Sequence, residues 1–176
     1  MRKTKTLIQF SIFIIFCLMI ELSHGYFMEI ALREAQMAFD EAEVPIGAIV
    51  VVGEQIYGRG HNQTETLKDA TAHAEMLAIT SAAEKMGDWR LEEATLYSTI
   101  EPCAMCAGAS VLSRIDTIVY GAPDPRFGAC GSLFEIPTDP RLNHRIEIIP
   151  GVMEQEAIDL MQTFFRQLRA QKERLN

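Results

Sequence analysis

The spacing of apolar residues predicts alternating helices and strands from residue 26 onwards. Apolar side chains recur at helical spacing over Tyr26–Ala42, which predicts a first helix that ends at Val44-Pro45. Ile46–Val52 is a nearly continuous apolar run of strand length. A turn at Gly53-Glu54 then leads into Gln55–Gly60, so that these two predicted strands form a hairpin.

The rest of the chain continues this alternation. Because helical crossovers separate most of the strands, the order predicts an α/β fold, a three-layer α/β/α sandwich around a five-stranded mixed sheet. The predicted elements are a loop at His61–Asp69, a helix at Ala72–Met86 ending at Gly87, a strand at Ala94–Ile100, a helix at Ala104–Ser113, a strand at Asp116–Gly121, a Gly- and Pro-rich loop at Ala122–Gly131, a short helical turn at Ser132–Glu135, a strand at Arg145–Ile149 and an amphipathic helix at Val152–Gln171.

The first 24 residues differ from the rest and are set apart from a domain at residues 25–176. Arg2, Lys3 and Lys5 precede the apolar run Leu7–Ile20, which resembles a secretory signal and is short for a membrane span. Three interpretations are open: a start codon assigned too far upstream, a membrane anchor or targeting segment, or true export with a weak cleavage site after Gly25. Membrane association therefore depends on this segment alone.

Composition fits one globular domain with a sizeable core. The chain has 176 residues, of which 48% are hydrophobic and 23% are charged. A net charge of −8 argues against a surface built for nonspecific nucleic-acid binding. The C-terminal stretch is locally basic and is either a strip that faces phosphates or a solvated helix face. Its charged residues are Arg166, Arg169, Lys172 and Arg174 against Glu173.

Two short motifs carry the candidate chemistry. His73 and Glu75 form a His-x-Glu motif, and Cys103 and Cys106 follow Pro102 in a Pro-Cys-x-x-Cys motif. One histidine and two cysteines provide three zinc ligands, leaving a fourth position for water whose pKa the metal lowers towards neutrality. Glu75 is not needed as a ligand and can move protons beside that water. The two motifs together are the signature of zinc-dependent nucleobase deaminases.

Helix starts explain how these residues could converge. Cys103 and Cys106 are three positions apart, so both sulfurs lie on one helix face. Pro102 suits the first turn of that helix, whose positive dipole end favours thiolate. His73 and Glu75 are two positions apart and would diverge on a regular helix, so their convergence requires an irregular first turn.

Other cysteines and histidines leave alternatives. Cys130 could close a structural zinc site as a fourth ligand, but Glu75 would then have no task. Cys17 and Cys130 could form a disulfide or could both be buried apolar residues. His61 and His144 are expected to be loop or packing residues, because the metal set is already complete.

The chain from Tyr26 to about Lys172 resembles the bacterial tRNA-specific adenosine deaminases of the cytidine deaminase-like superfamily. The two metal motifs are common to the superfamily, whereas the later segments favour a tRNA substrate. The matching segments are Glu43-Val44-Pro45-Ile46-Gly47-Ala48, Asn62, Thr71-Ala72-His73-Ala74-Glu75, Ala94-Thr95-Leu96-Tyr97, Glu101-Pro102-Cys103-Ala104-Met105-Cys106-Ala107-Gly108-Ala109, Ser113-Arg114-Ile115, Gly128-Ala129-Cys130-Gly131-Ser132-Leu133 and Asn143-His144-Arg145.

The resemblance implies a cytoplasmic homodimer that converts adenosine to inosine at the wobble position of a tRNA anticodon stem-loop. It implies one Zn²⁺ per subunit on His73, Cys103 and Cys106, with Glu75 as the catalytic proton carrier. Asn62 matches a position that hydrogen-bonds the flipped nucleotide, although a turn residue is an equally good interpretation. If residues 1–24 are real, the protein would instead be membrane-anchored or exported.

Two observations leave the substrate open. The segment Asp124-Pro125-Arg126-Phe127 departs from the usual family pattern, so the resemblance does not extend to the contacts of this loop with tRNA. Trp89 and Phe127 could stack on bases, but a lone aromatic side chain more often belongs to the core. The alternative function is a free nucleobase or nucleoside deaminase, of guanine or cytosine type, with the same zinc site.

Overall fold

The computed structural model describes residues 24–175, so the predictions about the N-terminal extension and Cys17 concern residues outside the described range. Alternating helices and strands follow one another along this range, as the hydrophobic pattern predicts. They are α1 at residues 24–40, β1 at Gly47–Val52, β2 at Gln55–His61, α2 at Thr64–Leu67, α3 at Ala74–Met86, β3 at Ala94–Ile100, α4 at Ala104–Leu112, β4 at Thr117–Ala122, β5 at Glu147–Ile149 and α5 at Glu154–Leu175.

The five strands form one mixed sheet in the order β2-β1-β3-β4-β5. β1 is antiparallel to both β2 and β3, whereas β3–β4 and β4–β5 are parallel pairs. Parallel neighbours need crossover connections, which α4 provides between β3 and β4. The carboxyl end of β3 therefore leads directly into the helix that carries the two motif cysteines.

Helices cover both faces of the sheet, which confirms the predicted three-layer sandwich. Alternate residues of β1 point to opposite faces. Ala48 and Val50 pack in one core cluster with apolar residues of α3 and α4. Ile49 and Val51 pack in another cluster with residues of α1. On that second face, Ala157 of α5 packs against the ends of β3 and β4.

Two glycines of β2 let α3 approach the hairpin very closely. A Cβ atom at Gly58 would lie 2.0 Å from the backbone oxygen of Ala78, and one at Gly60 would lie 2.4 Å from that of Ala74. Both distances are far below van der Waals contact, so a side chain at either position would push the helix away. This contact fixes the N-terminal end of α3, where His73 lies.

The structure departs from the predicted elements in three places. The predicted loop His61–Asp69 contains a single helical turn, α2, which ends at Lys68 in the left-handed region at φ 56°. The short helix predicted at Ser132–Glu135 is wrong; these residues form turns and a bridge, because the backbone N–H of Ser132 donates to Glu101 instead. α5 is longer than predicted and continues to Leu175. Within residues 24–175, no helix has the length and apolarity needed to cross a membrane.

Candidate active site

His73, Cys103 and Cys106 meet at the N-terminal ends of two helices. His73 is the N-cap residue of α3, Cys103 is the N-cap residue of α4, and Cys106 lies one turn into α4. The Nδ1 atom of His73 is 3.6 Å from each of the two sulfurs, and the sulfurs are 3.7 Å apart. These three side chains form a group that could hold a metal ion.

The backbone at the two N-caps explains this convergence. His73 has φ −75° and ψ 151°, and Cys103 has φ −71° and ψ 174°, so both residues are extended rather than helical. Their side chains can therefore reach across the gap, as the sequence required of an irregular first turn. Pro102 lies just before the N-cap and not inside the first turn, where it was predicted, although α4 begins at Ala104 as predicted.

The cluster shares protons among its three members. A hydrogen bond from the Cys106 thiol, joined by interactions with His73, lowers the pKa of Cys103 to about 4 despite its partial burial. The hydrogen bond to Cys103 and burial raise the pKa of Cys106, so its thiol keeps its proton. The hydrogen bond to Cys103 also raises the pKa of His73. A divalent cation would displace these protons, because metal ligands bind in their deprotonated forms.

Glu75 lies beside the cluster in the first turn of α3. Its side chain is buried, with 4% of its surface exposed. Burial raises the pKa of its carboxyl group, since a charged carboxylate is poorly solvated there. The carboxyl group also interacts electrostatically with His73, Cys103 and Cys106. The structure thus brings all four motif residues together.

A cavity of about 630 Å³ opens onto the cluster. Its walls are largely apolar, which suits a flat heterocyclic ring better than a strongly charged ligand. The lining residues come from the segment just before β1, the cluster, the ends of β3 and β4, the loop after β4, and α5: Val44, Ile46, His73, Glu75, Ile100, Glu101, Cys103, Ala122, Pro123, Asp124, Pro125, Arg126, Phe127, Ile158, Met161, Gln162 and Phe165.

Glu101 is a site residue for which no role was predicted. It is 3% exposed and lies at the end of β3, two residues before Cys103. Its carboxylate accepts hydrogen bonds from the backbone N–H groups of Asp124, Cys130 and Ser132 at 2.9–3.0 Å, and from the Ser132 hydroxyl. Although burial opposes ionisation, these hydrogen bonds lower the pKa of Glu101. The buried carboxylate of Glu101 thereby holds the loop from Asp124 to Ser132, part of which forms a cavity wall.

The carboxylate of Glu43 likewise holds the loop before α3 through hydrogen bonds. Its carboxylate, 1% exposed, accepts the backbone N–H of Thr66 at 2.6 Å and the amide nitrogen of Asn62 at 3.1 Å. Burial opposes ionisation, but hydrogen bonds from the backbone of Thr66 and Glu65 and from the Thr64 hydroxyl lower the pKa of Glu43. Because an ionised carboxylate only accepts hydrogen bonds, Asn62 must turn its NH₂ group towards Glu43. Asn62 is buried outside the cavity lining given above.

We expect Glu43→Gln to destabilise the protein in a pH-dependent way. The folded-state pKa of Glu43 is lowered, so its stabilising contribution is fully present above the unfolded-state pKa, near 4.5, and is lost as the pH falls through the lower folded value. At pH 7 the substitution should reduce the free energy of unfolding by about 1.5–3 kcal/mol.

Urea unfolding of the chelator-treated proteins at pH 7 and at pH 4 and below measures this difference. It should shrink as the pH decreases. Glu54→Gln, on the exposed β1–β2 turn, is the matched control and should change little at either pH. A Glu43→Gln deficit of the same size at every pH would contradict the assigned ionisation.

The remaining predicted candidates lie outside the metal cluster. His61 hydrogen-bonds to Glu41 at 3.1 Å, and His144 to the backbone oxygen of Ile115 at 2.6 Å, so both are loop or packing residues as expected. Cys130 is buried. Among the described residues, the ligand atoms of His73, Cys103 and Cys106 lie within 4.8 Å of one another, and Cys130 is not part of this group. The alternative of a closed four-ligand site is therefore wrong.

The two lone aromatic residues are not core residues, which corrects that expectation. Trp89 is 53% exposed and stacks against its neighbour Arg90, whose guanidinium carbon lies 4.2 Å from the ring centre. Phe127 is 65% exposed and lines the cavity.

Known proteins resemble this chain over most of its length. Residues 22–169 match the family model of the MafB19-like deaminases. The chain is 48% identical over 147 residues to the tRNA-specific adenosine deaminase of Streptococcus pyogenes serotype M18 (strain MGAS8232), covering 84% of this chain and 92% of that protein. It is also 48% identical over 146 residues to the tRNA-specific adenosine deaminase of Bacillus subtilis (strain 168), covering 83% and 91%.

A solved structure gives the same relationship. It comes from work on A-to-I editing by tRNA:A34 deaminases at the wobble position of transfer RNA. It superposes with a TM-score of 0.74 and 42% sequence identity, over 77% of this chain and 98% of that chain. The fold, the placement of the motif residues and these similarities show that the chain belongs to the family of the tRNA-specific adenosine deaminases.

Proposed function

We propose that the protein hydrolyses adenosine to inosine at the wobble position of a tRNA anticodon, releasing ammonia. The observation that carries this proposal is the position of Glu75, a buried carboxyl group that lies against a His-Cys-Cys metal cluster and lines an apolar cavity. The names of relatives at 48% identity support adenosine in tRNA as the substrate. The deaminase domain would comprise residues 25–176.

We further propose that His73, Cys103 and Cys106 hold one Zn²⁺. Tetrahedral zinc with ordinary bond lengths needs about 3.5 Å between a sulfur and a nitrogen ligand and about 3.8 Å between two sulfurs. The distances of 3.6 Å and 3.7 Å in the cluster fit this requirement closely. When bound, the metal would supply Lewis-acid activation of a water molecule at its open fourth position.

Glu75 would carry the protons of the reaction. Its carboxylate would accept a proton from the water that attacks C6 of adenine and deliver it to N1 of the ring. It would then help to protonate the departing amino group, so that adenosine and water yield inosine and ammonia. A pKa raised by burial suits this exchange, because a proton carrier works best when its pKa lies near the working pH.

The buried position of the cluster favours a substrate whose adenosine lies in an unpaired loop, such as an anticodon loop. A base must leave its stack to reach a buried cluster, and unpaired loop nucleotides do so at a lower free-energy cost than paired ones. By family resemblance Asn62, although it lies outside the cavity lining, would contact the flipped nucleotide through its side-chain oxygen, since Glu43 and Thr64 accept hydrogen bonds from its nitrogen. Arg166, Arg169 and Arg174, exposed on α5, would attract the phosphates of the stem.

The assembly and location are also proposals. By family resemblance we infer a homodimer, in which the anticodon stem would contact both subunits. A tRNA substrate and a metal cluster built on thiolates favour the reducing cytoplasm as the site of action.

Substrate assays with the purified, zinc-loaded protein test this function. We expect conversion of adenosine to inosine in an anticodon stem-loop RNA with adenosine at the wobble position, measured by nucleoside analysis after digestion. Guanine, cytosine and cytidine at the same enzyme concentration should remain unchanged. Conversion of a free base without conversion of the RNA would overturn the tRNA assignment and favour the free nucleobase or nucleoside deaminase.

A further inference from the structure

Phe127 combines exposure with a position at the cavity wall. Its side chain is 65% exposed, yet it lines the same cavity as Glu75 and His73. Single exposed apolar residues are common on protein surfaces and need no explanation alone. Here, however, the exposed ring lies beside the residues that would perform the reaction. A flat apolar ligand entering the cavity would therefore meet this ring.

The backbone that carries Phe127 is fixed by hydrogen bonds. The side-chain Oδ1 of Asp124 accepts the backbone N–H groups of Arg126 and Phe127 at 2.9 Å and 3.2 Å. The backbone oxygen of Asp124 accepts the N–H of Gly128 at 2.8 Å. This tight turn holds the aromatic residue outward, so little backbone entropy would be lost when a ligand binds to it.

The turn is also anchored to the interior. Glu101 binds the backbone N–H of Asp124 at its start, and Gly128 forms a bridge with Cys103 at its end. A Cβ atom at Gly128 would lie 2.3 Å from Oε2 of Glu101, so the turn sits directly on that carboxylate. The position of Phe127 relative to the metal cluster is therefore set by the core.

We propose that Phe127 is a stacking platform for the nucleobase next to the target adenosine. This inference rests on the proposed function and deepens it. When the target base turns into the cavity, the faces of its neighbours lose their stacking partner. The exposed ring of Phe127 covers one such face at the cavity wall, in the way that aromatic side chains bind single-stranded nucleic acid. Phe127 thus contributes to substrate affinity, whereas the proton chemistry remains with Glu75.

Kinetics on an anticodon stem-loop RNA test this role. Loss of one stacking contact should raise the KM of Phe127→Ala about five- to a hundredfold, with kcat at saturating RNA nearly unchanged. Phe127→Trp should restore the wild-type KM, and Phe127→Leu should restore it only in part, because leucine has no aromatic face. Trp89→Ala is the matched control, since it removes an exposed aromatic residue outside the cavity lining and should leave KM unchanged.

Abasic substrates identify the partner of the ring. Removing the base on one side of the target should raise the wild-type KM to that of Phe127→Ala, and should raise the KM of Phe127→Ala little further. Arg169→Ala provides a contrast: it removes one of the α5 charges proposed to attract phosphates and should reduce the salt dependence of binding, whereas Phe127→Ala should leave that dependence unchanged.

Three results would overturn the inference while the wild type remains active on the RNA. The first is an unchanged KM for Phe127→Ala, and the second is that each abasic site raises KM by the same factor in Phe127→Ala as in the wild type. The third is that Phe127→Ala changes the oligomeric state of the protein, measured by sedimentation. Lack of wild-type activity on the RNA would instead refute the proposed function itself.

Discussion

Replacement of Glu75 by glutamine is expected to abolish deamination while preserving the fold and the metal. Glutamine matches the shape of glutamate, but it cannot accept a proton and return it. Loss of a general acid–base group reduces the rate by about a hundred- to ten-thousandfold. Single-turnover conversion of the stem-loop RNA measures this loss. Metal analysis should give one zinc per chain for both proteins.

Stability measurements distinguish this catalytic role from a structural one. The buried carboxyl group of Glu75 is poorly solvated when it ionises, and an amide avoids that cost. The metal-free Glu75→Gln variant should therefore unfold at the same urea concentration as the wild type or a higher one. Glu84→Gln, on the exposed face of the same helix, is the matched control and should keep full activity. Unchanged activity of Glu75→Gln would refute the role of Glu75 in proton transfer. Loss of zinc from this variant would instead indicate that Glu75 supports metal binding.

The elements around the metal cluster were predictable because their signals are local. Apolar periodicity gave the five strands and the long helices, and the motif spacing placed His73 and Cys103 at helix starts. The irregular first turn required for His73 and Glu75 is present as an extended N-cap. Each of these features depends on residues within a few positions of one another, where backbone sterics and side-chain spacing dominate.

The loops around the cavity were not predictable because their contacts join distant parts of the chain. Glu101 binds Ser132, which is 31 positions away, and Glu43 binds Thr66, which is 23 positions away. Propensity favoured a helical turn at Ser132, but a buried carboxylate offered its backbone N–H a stronger partner. The exposure of Phe127 has the same origin, since the anchored turn decides which way the ring faces. A glutamate directly after a buried strand and directly before the Pro-Cys-x-x-Cys motif is the signal that could have identified Glu101.

Glu101→Gln should loosen the loop from Asp124 to Ser132 and reduce both stability and activity. The carboxylate serves three backbone N–H groups and one hydroxyl in a buried position. A glutamine amide has one acceptor oxygen, and its NH₂ group would face donors. Each buried donor left without a partner costs about 1–3 kcal/mol, so we expect a loss of roughly 3 kcal/mol in the free energy of unfolding.

Two measurements separate this positioning role from a general loss of stability. Hydrogen exchange should accelerate at the amides of Asp124, Cys130 and Ser132 in the variant, while amides in the centre of β1 stay protected, because the local anchor is lost before the sheet opens. On the stem-loop RNA, KM should rise more than kcat decreases, since the cavity wall that carries Phe127 becomes mobile while Glu75 stays in place. Glu92→Gln, exposed just before β3, is the matched control and should change neither. Unchanged exchange at these three amides would contradict the anchor, because the carboxylate of Glu101 accepts the hydrogen bonds of all three N–H groups.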